Sequence, residues 1–101
     1  MSFHASANDI RVDNGHILKA RLGDHDSEIN LNDFIGNNDG RFEWGGNNFS
    51  ETAENIHFGT EGGDNVPVLR ARLKKKDGEY VDADLNLGER IGNDNGRLHF
   101  A

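Results

Sequence analysis

Two short blocks concentrate the polar chemistry of this chain, Ile35-Gly36-Asn37-Asn38-Asp39-Gly40 and Ile91-Gly92-Asn93-Asp94-Asn95-Gly96. Crowded Asn and Asp side chains ahead of a Gly support three readings. They make turns, because these residues tolerate left-handed backbone and bond their own amides. They offer hard oxygen ligands to calcium, although each block holds a single Asp and lacks the bidentate Glu and helix pair of an EF-hand. They also present amides and carboxylates that donate and accept together, which suits adjacent sugar hydroxyls. The five His residues, His4, His16, His25, His57 and His99, form no zinc-like spacing. Asp24-His25-Asp26 reads as a polar surface turn. Lys74-Lys75-Lys76, directly before Asp77-Gly78, reads as a solvated hairpin edge that discourages edge-to-edge association. No nucleophile elbow or phosphate loop is present. A loop-rich chain of 101 residues also leaves little volume for a water-excluding active site. Binding is therefore expected, not catalysis.

The elements that must carry these blocks repeat. Ile29 to Trp44 (INLNDFIGNNDGRFEW) and Leu85 to Phe100 (LNLGERIGNDNGRLHF) agree at seven of sixteen positions. Upstream, ILKARL from Ile17 to Leu22 matches VLRARL from Val68 to Leu73, and Phe3 to Val12 matches Phe49 to Phe58 more weakly. The order is the same in both halves, so the chain is one domain over residues 1–101 made of two repeats, about 1–48 and 49–101. The blocks alternate with a period of two. Leu18, Ala20 and Leu22 oppose Lys19 and Arg21, while Leu69, Ala71 and Leu73 oppose Arg70 and Arg72. Such alternation predicts strands with one buried face. Trp44 and Phe100 fall on the inward side of theirs and are expected to be buried. Asp39-Gly40, Asp77-Gly78 and Asn95-Gly96 are hairpin signals. Ser6 and Thr52 are placed to cap single helical turns, SANDI and TAENI. The copies differ in length. Six residues separate Leu22 from Ile29, but eleven separate Leu73 from Leu85, so the first hairpin is expected to be truncated. Thr60 to Asn65, inserted in the second copy, reads as a Gly-rich surface loop.

Composition agrees with an all-β, turn-rich class. Gly numbers 13 and Pro 1, and mean hydropathy is -0.79. A net charge of -7 argues against nucleic acid and anionic membranes as partners. No apolar run reaches the roughly 20 residues of a membrane span. No Cys is present and the start, Met1-Ser2-Phe3-His4, lacks the regions of a signal peptide, so a cytosolic location is expected.

Taken together, the tandem blocks and the segment Asn48-Phe49-Ser50-Glu51-Thr52-Ala53-Glu54-Asn55-Ile56 after Trp44-Gly45-Gly46 resemble the cyanovirin-N homologues over essentially the whole chain. The resemblance implies a pseudo-symmetric β domain with two triple-stranded sheets, each with a β-hairpin, and strands exchanged between repeats. It implies a lectin that binds α1-2-linked, mannose-type oligosaccharides or glycoproteins carrying them, with no metal and no cofactor. The disulfides of the founding pattern are absent. Ala7 with Leu22, and Ala53 with Leu73, stand in their places, as in fungal-type members.

Carried over residue by residue, the resemblance implies a main site at Asn37, Asn38, Asp39, Asn48, Glu51, Thr52, Lys74, Lys75, Lys76, Gly78 and Glu79. Gly36 stands where the family often has an acidic acceptor. A second, weaker site would use His4, Ala5, Ser6, Gly23, Asp24, Asn93, Asp94 and Asn95, beside the shortened hairpin. The family can exchange halves between chains at the segment joining the repeats; here that segment, Trp44 to Asn48, has two adjacent Gly residues and no Pro, and a monomer is expected. The competing readings are a calcium-binding two-repeat β module, similar to the βγ-crystallins, and a homologue that keeps the fold without a ligand.

Overall fold

The computed structural model describes residues 3–101. Strands β1 (Ala7–Asp13), β2 (Ile17–Leu22) and β3 (His25–Asn30) form one antiparallel sheet in that order. Strands β4 (Ile35–Asn37) and β5 (Phe42–Trp44) form a hairpin. The second repeat gives a sheet of β6 (Ala53–Glu61), β7 (Val66–Lys74) and β8 (Tyr80–Asn86), then a hairpin of β9 (Ile91–Asp94) and β10 (Arg97–Phe100). Each hairpin packs on the other repeat's sheet. β10 lies along β3, and the amide of Leu98 donates to Ser27 Oγ at 2.9 Å. β5 lies along β8. The molecule is elongated, 45 × 27 × 22 Å, with one half at each end.

The alternating strands face as their sequence requires. Leu18, Ala20 and Leu22 of β2 and Leu69, Ala71 and Leu73 of β7 are buried, and Phe3 and Phe49 occupy equivalent, fully buried places. Ala7 pairs directly with Leu22, and Ala53 with Leu73. The two positions that a disulfide would join in each half are cross-strand neighbours here, filled by apolar side chains. Bulges interrupt β1 between Asn8 and Arg11, and β6 between Glu54 and His57. Asp9 and Asn55, with φ of 52° and 53°, are the left-handed residues that allow them.

Three expectations need correction, and one holds with a smaller effect. The segments SANDI and TAENI are strand, not helical turn; the 3-10 turns precede them at Phe3–Ser6 and Phe49–Thr52, so Ser6 and Thr52 end these turns instead of capping them. The buried Phe that opens each turn anchors it, and the bulge-forming residue that follows favours extended chain. The first hairpin is shorter, as the sequence predicts, and keeps most of its ladder. β2 and β3 pair continuously from Ile17–Asn30 to Leu22–His25, closed by Gly23-Asp24, while β7 and β8 run one pair further, to Lys74–Tyr80. The deletion removes that pair and shortens the loop from residues 75–79 to Gly23-Asp24. The insertion Thr60 to Asn65 is half ladder: Thr60 and Glu61 pair with Pro67 and Val66, leaving residues 62–65 as the turn. Finally, Trp44 and Phe100 are only half-buried. With Phe34 they form a stack of near-parallel rings, centroids 4.8–6.3 Å apart, at the junction of the halves. Arg90 covers Phe100, and Trp44 Nε1 donates to Glu89 at 3.3 Å.

Candidate functional site

The first Asn-rich block closes β4 and β5 as a two-residue turn. Asp39 and Gly40 both take positive φ, 51° and 89°, which is the geometry that favours Asp-Gly in such hairpins. Asn37, the last residue of β4, locks the turn, its Oδ1 accepting from the amide of Gly40 at 2.9 Å. Its Nδ2 donates to Thr52 Oγ1 and to the carbonyl of Lys74, both at 2.9 Å. Asp39 Oδ1 accepts the amide of Lys76 at 2.9 Å. Three segments far apart in sequence thus meet: the turn, the 3-10 turn Phe49–Thr52 and the tip of the β7–β8 hairpin.

Each segment is itself fixed. Asn48 begins the 3-10 turn in left-handed backbone, φ 59°. Asn32 holds that turn from the other side, donating to Ser50 Oγ at 2.7 Å and accepting its amide at 3.1 Å. In the hairpin tip, Lys75 donates to the carbonyl of Glu79, Gly78 donates to that of Lys75, and Asp77 Oδ1 accepts the Glu79 amide. That amide, aided by the Lys75 ammonium 3.6 Å from the other carboxylate oxygen, holds the Asp77 carboxyl below its ordinary range.

Of the expected main-site residues, Asn37, Asp39, Thr52, Lys74 and Lys76 are joined by direct hydrogen bonds. Lys75, Gly78 and Glu79 share the tip, and Glu51 is exposed on the turn beside Thr52. Asn38 turns away, its amide 3.4 Å from Glu43 on β5. Gly36 is buried, and a Cβ there would lie 3.0 Å from the backbone of Asn47. The missing acidic acceptor therefore follows from the close packing of residue 36 on the joining segment. Asn32 was invisible to the sequence reading. Its counterpart in the second copy is Gly88, and that mismatch inside a matched block was the available signal.

The second Asn-rich block repeats the frame with fewer ties. Asn93 Oδ1 accepts the Gly96 amide at 2.8 Å and its Nδ2 donates to Ser6 Oγ at 3.0 Å, so Ser6 stands for Thr52. His4 and Ala5 lie on the same 3-10 turn, with His4 edge-on to Phe3. Gly23 and Asp24 form the exposed link, Asp94 ends β9, and Asn95 is left-handed, φ 52°. With the hairpin tip cut to Gly23-Asp24, no hydrogen bond among the described residues matches those that Asn37 and Asp39 make to Lys74 and Lys76. His25, unnoticed as a site residue, stands in register where Val81 stands in the other half: a Cβ on Gly96 would meet its ring at 2.6 Å, as one on Gly40 would meet Val81 at 2.7 Å.

The CVNH domain family matches residues 3–99. The chain belongs to that family. It is 51% identical to a cyanovirin-N homolog of Neurospora crassa, over 97% of this chain and 96% of the relative. The NMR structure of the CVNH protein of Gibberella zeae is similar with a TM-score of 0.90 and 51% identity, covering 97% of this chain and 95% of that one. Microvirin, solved in complex with mannobiose, has a TM-score of 0.87 and 27% identity over all of both chains. The chain thus carries the CVNH lectin fold, and fungal proteins are among its relatives.

Proposed function

We propose that this CVNH chain is a lectin that binds mannose-type oligosaccharides with α1-2-linked ends, free or on glycoproteins, at the Asn37–Thr52–Lys76 site and without metal. The observation that carries this reading is the interlock of three segments by Asn37 and Asp39. It fixes a polar surface before any ligand arrives, which lowers the ordering cost of binding. The work divides cleanly. Both Asn37 amide hydrogens and its carbonyl oxygen are spent on the frame. The second oxygen of Asp39, the Glu51 and Glu79 carboxylates and the Lys76 ammonium remain for a ligand, and all four residues are exposed. Acceptors interleaved with a donor match the vicinal hydroxyls of a hexose. Microvirin, seen with mannobiose, supports the choice of mannose. Each exchanged hydrogen bond is worth about 1 kcal/mol net, so one shallow site gives a dissociation constant on the order of micromolar to millimolar.

Calcium fits less well. The turn oxygens of Asn37, Asp39 and Asn93 already accept backbone amides. Among the described residues no three His, Cys, Asp or Glu side chains converge to hold a metal ion. The test is a glycan array probed with and without chelator. Binding to α1-2-linked mannose that survives chelation is expected. Loss of binding in chelator, or a calcium-dependent melting shift with no glycan bound, would overturn the reading.

A further inference from the structure

Four residues with an Asn or Asp side chain stand directly before a Gly: Asn14, Asp39, Asp77 and Asn95. Such pairs carry a reaction of their own. With no side chain to shield it, the Gly amide nitrogen can attack the carbonyl carbon of the preceding side chain. In three of the four pairs that nitrogen is held. The Gly40 amide donates to Asn37 Oδ1 at 2.9 Å, the Gly78 amide to the Lys75 carbonyl at 2.9 Å, and the Gly96 amide to Asn93 Oδ1 at 2.8 Å. The Gly15 amide has no hydrogen-bond partner among the described residues. The sequence gives the reason. Two residues before Asp39 and before Asn95 stands an Asn whose side chain reaches forward, whereas two before Asn14 stands Val12, which has no acceptor to offer. The nearer carboxylate, Asp13, is taken up by Lys19 at 3.2 Å and Arg11 at 3.3 Å. Asn14 itself is exposed.

We propose that Asn14 is a site of spontaneous deamidation that slackens the back of the main site, while the held Gly amides protect the other three pairs. The Gly15 nitrogen loses its proton and bonds to Asn14 Cγ. The Cγ–Nδ2 bond breaks, and Nδ2 takes up a proton and leaves as ammonia. Water then opens the cyclic imide at either carbonyl, giving Asp or isoaspartate, each with a carboxylate where the amide was. The place matters because this turn backs the main site. The His16 carbonyl takes the Leu31 amide at 2.7 Å, and His16 Nδ1 lies 3.1 Å from Asn30 Oδ1, which also accepts the Asn32 amide at 2.9 Å. Asn32 in turn holds Ser50. An isoaspartate routes the main chain through the side chain and lengthens the turn ahead of His16, at the start of this series of bonds.

The test is to age the folded protein at mildly alkaline pH and cut it with trypsin, which releases residues 12–19 and 91–97. Mass spectrometry then reads a gain of about 1 Da in each. A held amide must first give up its hydrogen bond, so peptide 12–19 should convert about tenfold faster than 91–97. In urea, where no amide is held, the two should convert at comparable rates. Asn93→Ala frees the Gly96 amide and should bring Asn95 up towards the Asn14 rate. Asn14→Gly, which glycine accepts at φ 53°, should abolish the first acidic form seen by ion exchange. The purified isoaspartate form should exchange its Leu31 and Ser50 amides faster than fresh protein. Equal conversion of the two peptides in the folded protein, or faster conversion of 91–97, would overturn the assignment of Asn14. An Asn95 rate unmoved by Asn93→Ala would overturn the protection, and unchanged exchange at Leu31 and Ser50 would overturn the link to the main site.

Discussion

Asn37 looks like a ligand residue by type, yet its bonds make it a positioning residue, and the difference has measurable consequences. Asn37→Ala removes three hydrogen bonds at once and unties the turn from Thr52 and Lys74. Dimannose affinity should fall at least about tenfold, and amide exchange at Gly40, Thr52 and Lys76 should quicken even without sugar. Glu51→Ala should weaken binding while leaving those exchange rates alone. Asp77 gives a pH prediction. The Glu79 amide and then Lys75 hold its folded pKa below the ordinary 3.8. A depressed carboxyl contributes order that is fully present above the unfolded value and is lost as pH falls through the folded one. The hairpin tip should therefore loosen only below about pH 4, seen as a shift of the Glu79 amide that Asp77→Asn abolishes. The aromatic residues divide by burial. Phe49→Ala, at a fully buried position, should cost about 3–5 kcal/mol. Trp44→Ala, in a half-buried stack, should cost less, about 2 kcal/mol. A urea titration that ranked them the other way would show that the stack, not the core beneath it, dominates stability.

At the scale of elements, the period-two pattern located β2, β7 and the inward faces of both, because burial of one face is what the alternation encodes. The duplication located the hairpins, and the resemblance implied the pairing of Ala7 with Leu22 and Ala53 with Leu73. Sequence reading failed where one residue decides between neighbouring outcomes. SANDI and TAENI carry helix-cap residues, but the caps lie at the ends of turns nucleated by Phe3 and Phe49. Length rightly predicted a shortened first hairpin, but not that a two-residue link keeps every pair but one. The three segments that meet around Asn37 were legible through the family pattern; the parts played by Asn32 and His25 were not, since they depend on contacts across the two repeats. The surviving difference between hairpins still predicts unequal sites. The middle site has the tip from Lys75 to Glu79 as a wall, and the end site has only the two-residue link Gly23-Asp24. In a dimannose titration followed by backbone amides, the large shifts should appear near Asn37, Thr52 and Lys76. Shifts of equal size around Ser6 and Asn93, saturating together, would show that the two-residue link suffices as a wall.

The whole molecule depends on one bend. Hairpin β4–β5 reaches the sheet of the second repeat, and β9–β10 reaches that of the first, so the same contacts form equally well within one chain or between two. The segment from Trp44 to Asn48 decides which. It turns at Gly45, φ 88°, and at left-handed Asn48, φ 59°, and between them Gly46 lies flat against Gly36. A Cβ on residue 46 would stand 2.9 Å from Gly36 Cα, and one on residue 36 would stand 3.1 Å from Gly46 Cα. Neither approach leaves room for a side chain, because both partners are backbone. The unaltered protein should therefore close on itself and scatter light as an 11.2 kDa monomer at micromolar concentration. Gly46→Val attacks the contact from one side and Gly36→Ala from the other. Both should favour the open segment, raising the dimer fraction with protein concentration while each half keeps its sheet–hairpin contacts. The valine variant should do so more strongly, its contact being the shorter and its side chain the larger. A dimer already stable in the unaltered protein at micromolar concentration, or two variants as monomeric and as thermally stable as the parent, would show that the Gly36–Gly46 contact does not control the bend.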